Sequence, residues 1–398
     1  MVSPRIGLWL VGARGGVAST ATLGLCALQR KLIGNAGLVS ELPRFAGLEL
    51  AAWESLVVGG HEIRAGSLRD SAMELANTSR AIDRRLVDEC RDDLAEIDRR
   101  IRPGVLCRSG TAVEQLASLD LPQDPTPREC IRRLQRDLAE FIAAEGLEHL
   151  VLVNVASTEP PVNIADMPST WAEMDTTLDD WSTCPLPASS LYAIAAIEMG
   201  LSAINFTPSL GSSPPAIDDL ARQRKARHMG CDGKTGETLM KSVLAPMFRQ
   251  RNLHVMSWVG HNIFGNLDGV VLNDPANKAS KVASKDHLIG EILGYRPQTL
   301  VSIEYIESLG DWKTAWDHIH FTGFLDTPMT LQFIWQGCDS LLAGPLVLDL
   351  ARFTDKAWRR GEIGLMTFLA SFFKSPYGVT EHDFTRQFQA LEAWMAGA

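Results

Sequence analysis

The sequence predicts an α/β protein, with a doubly wound parallel sheet to about residue 230 and a second, more open sheet after it. Two observations point to the first part. Short, fully apolar runs alternate with helical periodicities, and the first run empties into a glycine loop that opens a helix. A third observation marks the change: beyond residue 250, several strand-like runs follow one another. At 398 residues and 45% hydrophobic, the chain has enough apolar surface for one large core or two coupled ones.

Residues 5–11 form the first apolar run, Gly12-Ala-Arg-Gly-Gly-Val-Ala-Ser19 the tight turn, and Thr20–Leu28 the helix. Strand, turn and helix in that order open a nucleotide-binding, Rossmann-like unit. Leu56-Val-Val-Gly59 reads as a second buried strand, ending in Gly60-His-Glu-Ile63. Between 81 and 100, Ile82, Leu86, Cys90, Leu94 and Ile97 recur at helical spacing amid charges, which predicts an exposed amphipathic helix. Thr126-Pro127 caps and opens another helix to about 145. His149–Val155 is a buried, parallel strand. Residues 159–189, rich in Pro, Ser, Thr and Trp, read as a covering loop, followed by a helix near 189–200 and a short strand at Ala203–Asn205. The second sheet is expected at His254–Val259, Gly269–Leu272, Thr299–Tyr305 and Thr330–Trp335, with helices at 339–351 and 363–373.

A net charge of −10 argues against nucleic acid or an anionic membrane as the main partner. The apolar run at 6–11 is too short for a signal peptide or a membrane span. Seven scattered cysteines without a C-x-x-C pair read as reduced core thiols, and so as a cytoplasmic protein with no zinc site.

The first loop, Gly12-x-x-Gly15-Gly16-x-Ala18, offers backbone amides and a helix N-terminus that suit a pyrophosphate, although a plain strand–helix turn would look the same. Arg14 stands where a middle glycine would be expected. Glu62 is a candidate for the ribose hydroxyls, or an ordinary carboxylate at a strand end. A second anion cradle, Gly230–Thr238, leads into the helix at Leu239, where capping alone would explain Thr238. Asp339 opens an apolar helix, a place where aspartate is most often an N-cap. Four lysines stand out. Lys281 and Lys285 lie one turn apart, Lys313 sits in Gly310-Asp-Trp-Lys-Thr-Ala-Trp316, and Lys374 in Phe372-Phe-Lys-Ser-Pro376. Apolar and aromatic surroundings desolvate an amine, lower its pKa and make it usable as an acid, a base or an oxyanion partner. Brought together, the four would form a site for a phosphorylated substrate with carbonyl or alkoxide character. His318 and His320 are too weak a pair for a metal claim, and no metal is expected.

Taken in order, the segments resemble the myo-inositol-1-phosphate synthase (inositol-3-phosphate synthase) family, as a divergent bacterial-type member. The resemblance covers most of the chain and is densest between 204 and 376. Its carriers are Gly60-His-Glu-Ile63, Ser157-Thr-Glu159, Asn205-Phe-Thr-Pro208, Asp232-Gly-Lys-Thr-Gly-Glu-Thr238 and Asn266-Leu-Asp-Gly269. The later motifs match best: Ser280-Lys-Val-Ala-Ser-Lys285, Gly310-Asp-Trp-Lys-Thr-Ala-Trp-Asp317, Cys338-Asp-Ser-Leu-Leu-Ala343 and Phe373-Lys-Ser-Pro376. Departures are Arg14, His61 in place of an aromatic, and Glu237 in place of a neutral glutamine.

The resemblance implies an NAD-binding domain at 1–238, an α+β catalytic and tetramerisation domain at 239–338, and C-terminal helices at 339–398 that return to the first domain. It implies an intramolecular lyase of the isomerase class, with recycled NAD and a redox-neutral route: oxidation of glucose 6-phosphate at C5, enolisation, C6–C1 aldol closure, and reduction. Lys281 and Lys374 would stabilise the C1 alkoxide, Lys313 would handle the C5 hydroxyl proton, and Lys285 the phosphate and the enolisation region. Gly12, Arg14, Gly15, Gly16, Val17, Ala18, Glu62, Ser157 and Thr158 would hold the cofactor. Asp232, Asp268 and Asp339 would hold the nicotinamide, its ribose or the lysines. Thr235, Gly236, Glu237 and Thr238 would cradle the phosphate, with Asn262 and Asp311 completing the substrate site. A homotetramer is implied. The alternatives are a related synthase acting on another sugar phosphate, such as fructose 6-phosphate, or an ordinary NAD(P)-dependent dehydrogenase.

Overall fold

A computed structural model of the chain describes residues 4–265 and 288–397. Within them lie two sheets. The first has seven parallel strands: β1 Ile6–Val11, β2 Leu56–Glu62, β3 Ile101–Pro103, β4 His149–Asn154, β5 Ser202–Asn205, β6 Arg227–Gly230 and the two-residue β11 Gly364–Leu365. Their spatial order is β11-β6-β5-β4-β1-β2-β3, so the direction of winding reverses between β1 and β4. The glycine loop leaves β1 at that reversal, the place where open α/β sheets bind ligands.

Period-two alternation in β1 shows why helices cover both faces. Ile6, Leu8 and Leu10 pack with the helices Gly16–Gln29 and Asp339–Arg359, whereas Trp9 and Val11 join the opposite core with Pro127–Glu145 and Ala188–Glu198. Every residue of β1, β2 and β4 is buried. Each fully buried Leu, Ile or Val there contributes about 1.5–3 kcal/mol. Thr126 Oγ1 accepts from Glu129 N–H at 3.1 Å, as the expected cap does. All seven cysteines are unpaired.

The second sheet comprises β7 His254–Phe264, β8 Gln298–Tyr305, β9 Trp312–Thr322 and β10 Pro328–Cys338, in the order β10-β9-β7-β8. Its inner face carries Trp258, Ile319 and Phe321 against Ala245 and Phe248 of the helix Gly236–Gln250. Its other face carries Leu300 and Ile334, 55% and 71% exposed, and a His261–Trp316 stack. Among the described residues no helix is long and apolar enough to cross a membrane.

Several expectations are corrected. The helix at 81–100 is two, Arg84–Glu89 and Arg91–Asp98, parted at the fully buried Cys90, whose φ and ψ of −93° and 7° leave the helical range. Residues 363–373 form β11 and a 3-10 turn, Thr367–Phe372, because Gly364 takes a positive φ and pairs with Arg227. The run 159–189 contains a short helix, Trp171–Thr176, that buries Trp171 and Met174. The strand β9 was not anticipated: the charged Lys313 and Asp317 fall on its inward-facing positions and interrupt the apolar alternation. The expected strand at Gly269–Leu272 lies outside the described residues.

Candidate active site

A cavity of about 400 Å³ opens over the C-terminal ends of β1, β2 and β4, and residues from both sheets wall it. On one side lies the glycine loop. Gly12 has φ +81°, and a Cβ there would stand 2.8 Å from Ala156 Cα, so only glycine fits the turn. Gly15 N–H donates to Gly12 O at 2.9 Å, and the helix begins at Gly16. Its first-turn amides, those of Gly16, Val17 and Ala18, have no intrahelical partner by construction, and no acidic residue occupies that turn. The loop therefore presents a positive dipole end to the cavity.

Glu62 and Arg14 line this end but are tied to backbone. Glu62 accepts N–H bonds from Arg14 at 2.7 Å, Ile63 at 2.8 Å and Arg64 at 3.1 Å, locking β2 to the loop. Arg14 pairs with Asp98 at 3.0 Å and donates to Arg64 O at 3.1 Å. Its guanidinium thus braces the loop from the cavity wall. His61, neutral because burial lowers its pKa, accepts from Trp9 Nε1 at 2.8 Å and contacts Asp137 at 3.0 Å. Ser157 and Thr158 stand on the wall beyond β4. Next to them lies Glu159, which ends the Ser157-Thr-Glu159 segment and to which the sequence assigns no role. It is pushed up to about 7 by burial, although Ser189 N–H and Oγ–H donate to it at 2.8 and 2.5 Å and partly offset the shift.

Opposite the loop, two lysines meet two aspartates. Lys374 Nζ lies 2.8 Å from Asp232 Oδ1, and the two segments are stitched further by Lys374 N–H to Asp232 O at 2.6 Å. Gly233 beside them admits no side chain, since a Cβ would fall 2.1 Å from the Phe206 ring. Lys313 Nζ lies 3.3 Å from Asp339 Oδ2 and 5.2 Å from the Phe264 ring centroid. All four residues wall the same cavity as the glycine loop. Burial works to lower the Lys313 pKa, but the charges of Asp339, Glu237 and Asp232 outweigh it and hold the amine above the ordinary lysine value. The sequence expectation of a lowered pKa here is therefore corrected: Lys313 rests as an ammonium.

Asp339 is also not the N-cap. It is the first residue of its helix, and the capping carboxylate is Asp311, which accepts Ser340 N–H at 2.8 Å, Ser340 Oγ–H at 3.0 Å and Cys338 S–H at 2.7 Å. Burial raises the Asp311 pKa. Ser340 in turn abuts Gly16, where a Cβ would lie 2.5 Å from its Oγ, so the strand carrying Lys313 and the glycine loop touch through one serine. Thr235 is on the cavity wall, whereas Gly236, Glu237, Thr238 and Asn262 are not among its residues. Glu237 is buried and turned to Lys241, 2.6 Å away. Lys281, Lys285 and Asp268 lie outside the described residues. Among the described residues no group of three or more His, Cys, Asp or Glu is placed to hold a metal.

The lysine with a depressed pKa is one the sequence reading passed over. Lys234 is 4% exposed, hydrogen-bonded to Gln387 Oε1, and lowered to about 7 by burial. Between pH 7 and its ordinary 10.5, the unfolded chain carries a proton there that the folded chain does not. Its contribution to stability therefore rises with pH across that window and is smallest below 7. Lys234→Met is expected to lose this rise. Thermal melts of both proteins across the window check it, and parallel Tm curves would rule it out.

A parallel sheet with a glycine loop at its winding reversal and a second mixed sheet over the same cavity defines a two-sheet α/β protein of the dinucleotide-binding type. Residues 6–396 match the NAD-binding family model described as myo-inositol-1-phosphate synthase, and the chain belongs to that family. Inositol-3-phosphate synthase 1 of Bacteroides thetaiotaomicron is 32% identical over 404 residues, covering 96% of this chain and 91% of that protein. The human inositol-3-phosphate synthase 1 is 28% identical over 392 residues, 89% of this chain and 69% of that one. In fold, the chain is similar to inositol-3-phosphate synthase of Caenorhabditis elegans (TM-score 0.89, 23% identity, 99% of this chain and 85% of that one). It is also similar to a myo-inositol-1-phosphate synthase-related protein of Thermotoga maritima (TM-score 0.80, 24% identity, 98% of each chain).

Proposed function

We propose that the chain cyclises glucose 6-phosphate to 1D-myo-inositol 3-phosphate without net redox change. The observation that carries this reading is the placement of Lys313–Asp339 and Lys374–Asp232 on the cavity that also receives the glycine loop. NAD fits that loop: Gly12 leaves no room for a side chain, and the helix start faces it without a carboxylate in its first turn. Bound there, NAD would supply the hydride acceptor and donor chemistry that C5 needs, held by Gly12, Gly15, Gly16 and the first amides of the helix Gly16–Gln29.

The residues divide the remaining work. Lys313 begins as an ammonium, so it takes the C5 hydroxyl proton only after passing its own on, and Asp339 Oδ2 at 3.3 Å is the acceptor in reach. Once C5 is a ketone, the same ammonium steadies the enolate oxygen. Lys374, oriented by Asp232, is placed to stabilise the alkoxide that forms at C1 in the ring closure, with Lys281 as its partner by sequence. Lys285 is assigned to the phosphate and the enolisation region on the same grounds. Thr235, on the cavity wall at the start of the helix Gly236–Gln250, takes the phosphate with the first amides of that helix, while Glu237 is turned away to Lys241. A cytoplasmic homotetramer is the proposed form, closed through the exposed Leu300 and Ile334 face of the second sheet; a monomeric mass in sedimentation would remove that part.

Incubation with glucose 6-phosphate and catalytic NAD is the test. The expected result is a cyclitol phosphate by NMR with a flat nicotinamide absorbance. Accumulating NADH would replace this reading with a dehydrogenase, and product from fructose 6-phosphate alone would replace the substrate.

A further inference from the structure

We propose that the indole N–H of Trp335 donates a hydrogen bond to the phosphate of the sugar phosphate, beside the helix start at Thr235–Gly236; this rests on the function proposed above. None of the motifs that carry the family resemblance contains Trp335. The register of the second sheet places it. Trp335 on β10 pairs with Ala315 on β9, and Ala315 pairs with Asn262 on β7, so the three form one row on the inner face. The next row holds Lys313, between Gly337 and Phe264.

Two members of the Trp335 row carry buried polar atoms that make no hydrogen bond among the described residues. Trp335 Nε1 is buried and makes no hydrogen bond among the described residues, and neither do Oδ1 and Nδ2 of Asn262, which is 0% exposed. Ala315 between them is small and 1% exposed. An orphaned buried donor costs about 1–3 kcal/mol, which a fold tolerates where a ligand supplies the missing acceptor.

The helix Gly236–Gln250 covers this row. A Cβ on Gly236 would come 3.5 Å from Trp335 Nε1, and one on Gly337 3.3 Å, so two glycines keep the N–H clear. Gly236 has φ +55°, and its N-cap Thr235 spends no side-chain bond on capping. The first-turn amides of a 15-residue helix and the indole N–H thus stand side by side next to Thr235 of the cavity wall, both able to donate to one tetrahedral anion. The carboxylate of that first turn, Glu237, is turned to Lys241. The indole adds a fixed, neutral donor in a row next to the ammonium of Lys313.

The test is Trp335→Phe, which removes the N–H and keeps an aromatic ring. Inorganic phosphate affinity, read by titration calorimetry, and kcat/KM for glucose 6-phosphate are both expected to fall about tenfold or more, as for a hydrogen bond to a charged acceptor. NAD affinity and Tm are expected to hold, since an orphan is removed rather than a bond. Trp335→His, which retains a ring N–H, is expected to keep more phosphate affinity than the phenylalanine variant. Phosphate binding within about twofold of wild type in Trp335→Phe, or no phosphate binding by the wild type, overturns the proposal. Wild type that binds phosphate but does not turn over glucose 6-phosphate overturns the function instead, and the phosphate titration still decides Trp335.

Discussion

Lys313→Met is expected to lower kcat by about a hundredfold to a thousandfold while leaving NAD affinity unchanged, the range seen when one preorganised oxyanion donor is removed. The methionine keeps an unbranched stem over the Phe264 ring, so packing at the strand end is largely retained, and only the charge is lost. That charge is fixed in place at 3.3 Å by Asp339, whose helix is held by Asp311 through Ser340. A preorganised cation of this kind needs no rearrangement as negative charge develops, which is why its removal acts on the chemical step. A linked expectation concerns pH. Asp339 is the largest of the charges that keep Lys313 protonated, so Asp339→Asn should let Lys313 lose its proton at lower pH and move the pH dependence of the C5 oxidation step down with it. Steady-state kinetics across pH and calorimetry with NAD decide both points. A Lys313→Met enzyme with kcat near wild type would remove Lys313 from the mechanism.

Much of the first sheet was legible because its strands are buried on both faces and read as unbroken apolar runs. The second sheet was less so. In β9 two charged residues occupy inward positions, so Lys313 and Asp317 replace the apolar side chains whose alternation would have announced a strand. The same displacement explains Asp339 and Asp311. Sequence identifies a carboxylate at a helix start, but the cap comes from a residue 29 positions away, brought in by the β9–β10 pairing. Lys313 and Lys374 were found by their aromatic neighbours, yet that signal gives desolvation without its counterweight. The aspartates that raise one of them come from other segments. Lys234 was passed over because its burial against Gln387 of the C-terminal helix has no local signature.

Lys241→Met is expected to destabilise the protein by about 3–5 kcal/mol, the cost of taking one charge out of a buried pair. Lys241 and Glu237 are each 2% exposed in their side chains, their charged atoms are 2.6 Å apart, and Asp317 at 0% exposure stands 3.9 Å from the same ammonium. Gly260 makes the room: a Cβ there would lie 2.6 Å from Glu237 Oε1 and 3.4 Å from Lys241 Nζ. Trp258 Nε1 supports Asp317 with a bond of 2.7 Å. Removing the ammonium takes a positive charge from between two buried carboxylates, and a loss of that size is a large part of the ~5–15 kcal/mol that holds a typical domain together. The pair also explains how a carboxylate can occupy the position where the family pattern has a glutamine. Glu237 turns to Lys241 one helical turn on, which meets the charge locally. The double change Glu237→Gln with Lys241→Met removes both ions of that pair and is expected to recover most of the lost stability, as buried pairs replaced together often do. Denaturant unfolding of the two single variants and the double gives the coupling directly. Equal midpoints for Lys241→Met and wild type would mean that the lysine does not hold these carboxylates. A double variant no better than the single would assign the loss to Asp317 rather than to Glu237.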